Sequence, residues 1–147
     1  MRKFAALVAS AFAVAALAFA PAALAAPHYV TGPTATVSGN SLTVSWKAAG
    51  LGNTVESADF SLTGTANVTS QCFTRSGNPV QGVPKSETVD VNVSGTFDVR
   101  NGQTSGSLTV SPLSTLTCTG SQQVRILSVS FDLTLNGDDL PPVHLTG

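Results

Sequence analysis

From Leu42 to Leu135 apolar side chains recur at every second position in run after run, a period that puts them on one face of a strand and scatters them around a helix. The longest run is Ser57 to Phe73. Ala58, Phe60, Leu62, Gly64, Ala66, Val68, Ser70 and Cys72 share one side, and Asp59, Ser61, Thr63, Thr65, Asn67, Thr69 and Gln71 share the other. Its 17 residues exceed the usual strand length of about 3 to 10. Because the phase survives Gly64, the expectation is a bend there that carries the strand from one sheet to another, in preference to a turn that would split it.

Ser86 to Val110 reads as a long hairpin. Val89, Val91, Val93, Gly95, Phe97 and Val99 face one way, Asn101-Gly102 supplies the positive φ angles of a type I′ turn, and Leu108 and Val110 face inward on the return. A first hairpin is expected from Thr34–Ser38 and Ser41–Ala48 around Gly39-Asn40, with Leu42, Val44, Trp46 and Ala48 inward and Ala26 to Pro33 loose before it. Trp46 is read as core, since the solvent positions of its strand carry no further aromatic that would make a stacking platform. Leu113 to Thr119 puts Leu116 and Cys118 in one phase. In Gln122 to Leu135 the phase slips at Ile126-Leu127, as a β-bulge would make it. Asn136 to Asp139 is a turn, and Val143 with Leu145 a short edge strand. The sum is an all-β chain of about eight strands. The expected architecture is an antiparallel β-sandwich of Greek-key, immunoglobulin-like character.

The first 25 residues stand apart. Arg2 and Lys3 precede an apolar stretch, Phe4 to Ala20, then Pro21 and Ala23-Leu24-Ala25, the order of a signal peptide cut after Ala25. At 17 residues the stretch falls short of the roughly 20 that span a bilayer. Residues 26–147 are then one secreted or periplasmic domain, with no membrane association after cleavage. That domain holds 5 basic and 8 acidic residues and no basic stripe, which argues against nucleic acid as a partner. Ser, Thr and Asn fill most of the outward positions.

Cys72 and Cys118 are the only cysteines, and in an exported chain they are expected to form a disulfide. The pairing suggests the inter-sheet bridge of immunoglobulin domains, although Trp46 precedes both cysteines instead of lying between them. No catalytic residues are assigned. His28 and His144 lie near the ends of the mature chain and outside any recognised motif, so a Ser-His-Asp site would have to assemble around His144 from distant partners. No metal or other cofactor is expected; the acidic turn Asp138-Asp139, with Asp132 nearby, lacks the EF-hand pattern and is read as solvated. Asn67-Val68-Thr69 and Asn92-Val93-Ser94 match the glycosylation sequon.

The one long irregular segment, Thr74 to Lys85 (TRSGNPVQGVPK), offers Arg75, Asn78, Pro79, Gln81, Pro84 and Lys85 as a possible binding loop. Taken together, GNSLTVSWKAAG, the Cys72 segment, SGTFDVRNGQTSGSLTVSP, Cys118 and QQVRILSVSFDLTL resemble small exported bacterial all-β proteins without an assigned activity. That resemblance implies a secreted β-sandwich and transfers no functional residues. The functional expectation is a non-catalytic module that binds an extracellular or envelope protein or serves a structural role. The second reading is a secreted protease inhibitor whose Arg75 or Lys85 enters an acidic specificity pocket. Self-association through uncharged strand edges is a third expectation.

Overall fold

The computed structural model describes residues 24–147, so nearly all of the expected leader, residues 1–25, lies outside the described residues. The chain forms seven strands: β1 His28–Ser38, β2 Ser41–Ala49, β3 Ser57–Phe73, β4 Lys85–Asp98, β5 Thr104–Val110, β6 Gln123–Gly137 and β7 Val143–Thr146. They make two antiparallel sheets, one in the order β1-β2-β5 and one in the order β4-β3-β6-β7. Residues that alternate inward from the two sheets meet in a single core. Leu42, Val44 and Ala48 of β2 and Ala58, Phe60, Leu62, Ala66 and Val68 of β3 are all but sealed from water. The β-sandwich expected from the period is the observed fold.

An aromatic trio joins the layers. Trp46 of β2 stacks on Phe60 of β3 at 4.5 Å between ring centroids, and Phe97 of β4 meets it edge-on at 5.0 Å. Phe97 lies so close to β5 that a Cβ on Gly106 would come within 2.5 Å of its ring. Glycine at 106 is thus what lets the ring settle between the sheets. Trp46 is a core residue as expected, and its indole Nε1 has no hydrogen-bond partner among the described residues.

The Ser86–Val110 reading needs correction. Asn101 (φ 52°) and Gly102 (φ 70°) do make a two-residue turn, closed by Arg100 N–H to Gln103 O (2.9 Å) and Gln103 N–H to Arg100 O (3.0 Å). The pairing stops there. β4 pairs with β3 from Lys85 to Asp98, and β5 pairs with β2. The arms diverge into opposite sheets and oppose their apolar faces across the core. A period-two pattern is equally satisfied by a neighbour beside the strand or by one stacked over it.

β3 keeps the predicted bounds and phase, and Gly64 has φ 139°, a conformation closed to side-chain-bearing residues. It does not move the strand between sheets: β3 pairs with β4 on one side and β6 on the other along nearly its whole length. What the glycine permits is close approach, since a Cβ there would sit 2.1 Å from the Asp132 carbonyl oxygen. The bulge in β6 is observed. Thr69 pairs with Ser128 and Ser70 with Ile126, leaving Leu127 as the extra residue, 47% exposed rather than inward. The N-terminal part is more ordered than expected, because β1 begins at His28 and pairs with β2 through two register shifts.

Seven strands replace about eight because Leu113 to Thr119 forms none. Its backbone donors go elsewhere: Leu113 N–H to the Asn40 carbonyl (2.9 Å), Ser114 N–H to Asn40 Oδ1 (2.8 Å) and Thr115 N–H to Glu87 Oε1 (2.6 Å). The disulfide Cys72–Cys118 is present, with Cα atoms 5.7 Å apart. It joins the end of β3 to this irregular segment, so it is not the strand-to-strand bridge between sheets of an immunoglobulin domain.

Candidate functional site

The loop between β3 and β4 is a braced turn. Thr74 N–H donates to Asn78 O (2.8 Å), Gly77 N–H to Thr74 O (2.9 Å) and Val80 N–H to Cys72 O (2.9 Å), while Pro79 sits opposite Phe73. Gln71 Nε2 reaches the Val80 carbonyl at 3.2 Å. The six loop residues singled out from the sequence do not converge. Arg75 and Asn78 are exposed at the tip, whereas Gln81 faces a shallow groove shared with Leu116 to Thr119. Pro84 is exposed next to β4, and Lys85 is turned away from the loop. The Lys85 ammonium pairs with the Glu87 carboxylate at 3.0 Å and donates to Thr115 Oγ1 at 2.6 Å. Arg75 occupies the second position of the turn closed by Gly77 and Thr74, so any partner meets it on a knob and not on an extended segment.

Glu87 is the most perturbed ionisable group here. Hydrogen bonds from the Thr115 hydroxyl, then from Lys85 and from the Thr115 backbone, hold its carboxyl at about 2, against 4.5 ordinarily. Sequence reasoning missed this residue because its main partner, Thr115, lies 28 positions away, in a segment read as a strand.

The histidines sit on outer surfaces. His28 Nδ1 lies 2.8 Å from the Ala26 carbonyl, and His144 Nε2 lies 2.6 Å from Asp132 Oδ1 on the outward face of the four-stranded sheet. No serine hydroxyl is hydrogen-bonded to the His144 ring among the described residues. Asp138 Oδ2 accepts the Asp59 N–H at 2.8 Å, and Asp139 takes φ 57° in the turn. Among the described residues no three acidic, histidine or cysteine side chains gather as metal ligands. No described helix is long and apolar enough to cross a membrane.

The second feature is an open side of the sandwich. β7 covers β6 only from Asp132 to Leu135, and Phe131 exchanges backbone hydrogen bonds with Gly147 (2.7 and 3.2 Å). From Gln123 to Ser130, β6 has a ladder partner on its β3 side alone among the described residues. This edge contains no proline and one charge, Arg125, whose guanidinium lies over the Phe73 ring at 4.8 Å. Between the edge and the end of β1 runs a groove of about 460 Å³, in which Arg125 and Ser128 interrupt an otherwise apolar lining of Val37, Ile126, Leu127 and Val129. Val37 and Leu127 are among the few large apolar side chains left exposed, at 39% and 47%.

No family model matches this chain, and no curated protein matches it either.

Proposed function

We propose that this is a non-catalytic binding module of the cell exterior, which takes an extended segment of a partner protein as an added strand along Gln123–Ser130 of β6. The supporting observation is the coincidence of unpaired main-chain groups with a largely apolar groove. The backbone edge supplies register-independent affinity, and Val37, Leu127 and Val129 would receive alternate apolar side chains of the incoming strand. The disulfide and the expected export signal support an oxidising setting, where such partners would be extracellular or envelope proteins.

Selection from a display library of random short peptides tests this reading. The expected winners alternate apolar residues, perturb the amide resonances of residues 123–130, and lose at least about tenfold in affinity on Leu127→Lys, which costs no more than about 0.5 kcal/mol of stability at so exposed a position. Perturbations confined to the Arg75 loop, or undiminished binding by Leu127→Lys, would reject it. If a second copy fills the edge instead, sedentary monomer mass gives way to a concentration-dependent dimer, which Leu127→Lys abolishes.

The inhibitor reading retains one free basic side chain, Arg75, on a loop stiffened by the disulfide at its base. A panel of trypsin-like proteases decides it: inhibition at micromolar concentration that disappears with Arg75→Ala would support it, and the strand-addition reading expects none.

A further inference from the structure

We propose that residues 111–119 are an acid-released strap over one end of the sandwich, latched by Glu87 and leashed by the disulfide. The segment leaves β5 and crosses the end where β2 begins and β3 finishes. Leu113 has no exposed surface and joins the core with Leu42 and Val110. Ser114 is also buried, its hydroxyl 2.7 Å from that of Ser70.

The ties that hold the strap differ in their response to acid. Asn40 receives two of its N–H groups, and Ser70 meets Ser114; these are neutral hydrogen bonds. Cys118 is covalently tied to Cys72. The remaining tie is ionic: Thr115 donates both its N–H and its hydroxyl to the Glu87 carboxylate, at 2.6 Å each, while Lys85 binds both partners. Apart from the bridged Cys118, Ser111 to Thr119 has no ionisable side chain. Ser38 to Val44, Val68 to Phe73, Val80 to Pro84 and Gly120 to Gln123, which border it, have none either. Lys85 and Glu87 of β4 are therefore the charged groups that face it, and only Glu87 changes charge in acid.

The direction of the effect follows. A carboxyl held at about 2 in the folded chain and near 4.5 when free contributes fully above about 4.5 and loses that contribution as the pH falls through about 2. Protonation removes the Lys85 pair and weakens both Thr115 bonds. The seven residues between Val110 and Cys118 then swing out as a tethered loop, exposing Leu113 and Leu116. An exported protein would thereby acquire an apolar slot in acid and lose it again on neutralisation.

Pepsin, which cuts beside leucine and works across this range, reads the opening. After division by the rate on a free Ser111–Thr119 peptide, cleavage at Leu113 or Leu116 should rise at least about tenfold between pH 4.5 and pH 2. The two fragments should stay joined until a reductant is added. Glu87→Gln should be cut at pH 4.5 as fast as the parent at pH 2. A flat normalised rate, a resistant Glu87→Gln, or loss of native Trp46 fluorescence in step with cleavage would overturn the proposal, the last because the whole sandwich would then be opening. Should Glu87→Gln fail to fold, the Thr115 amide resonance of the parent serves: it must titrate with a midpoint of about 2, and a static resonance also overturns the proposal.

Discussion

Trp46→Ala is expected to remove about 3–5 kcal/mol of unfolding free energy, measured by urea denaturation followed in the far-ultraviolet circular dichroism. Trp46 is 4% exposed and touches both Phe60 and Phe97, so its loss leaves a cavity where the two sheets are joined. Each aromatic contact adds about 0.5–1.5 kcal/mol beyond burial. Trp46→Phe separates these contributions. The indole N–H is buried without a partner, so replacing it relieves a desolvated donor, a recovery of about 1–3 kcal/mol. Trp46→Phe should therefore cost less than half as much as Trp46→Ala. Equal losses from the two variants would mean that shape, not the stranded donor, dominates the site.

The double variant Cys72→Ser, Cys118→Ser should lose about 4 kcal/mol, the chain-entropy value for a loop of this length. The bridge spans a sequence separation of 46, and stabilities of domains run to about 5–15 kcal/mol in all. The midpoint in guanidinium should fall and the slope should rise, because the unlinked denatured chain is less compact and exposes more surface on unfolding. The loss should also be uneven. Protection of the Thr115 and Leu116 amides should drop further than that of β3, since the bridge anchors the irregular segment and not a ladder. A uniform loss of protection would contradict that placement.

How much of this was legible in the sequence depends on whether the deciding interaction was local. Ser57–Phe73 could be read to the residue because side-chain alternation is written in the strand itself, and the Leu127 bulge because two successive apolar residues break that alternation. The turn at Asn101-Gly102 was legible for the same reason. The fate of its arms was not: β4 and β5 each found partners far along the chain, and nothing in either arm states whether its apolar face meets a neighbour in the same sheet or in the opposite one. The same limit applies to Leu113–Thr119, where alternating Leu116 and Cys118 suggested a strand. Asn40 and Glu87, 74 and 28 positions away from their partners, captured the donors that a ladder would have needed. The loop between β3 and β4 shows the converse. Its composition predicted irregular structure correctly, but the side-chain directions that separate Arg75 from Lys85 depend on Glu87 and Thr115. The open edge of β6 was invisible because it is a property of how far β7 reaches.

The position of the disulfide beside the Cys72–Val124 pair bears on how the oxidised chain folds. Phe73 and Gln123 start their ladder fifty positions apart, a long search for an unlinked polymer. With the sulfurs joined, Gln123 lies only five positions beyond Cys118, and the two longest strands meet as though they belonged to a tight hairpin. Oxidation before collapse thus turns the slowest pairing of the sheet into a zipper that closes from its covalent end, so the chain should fold faster where thiols are joined early than where they are kept reduced.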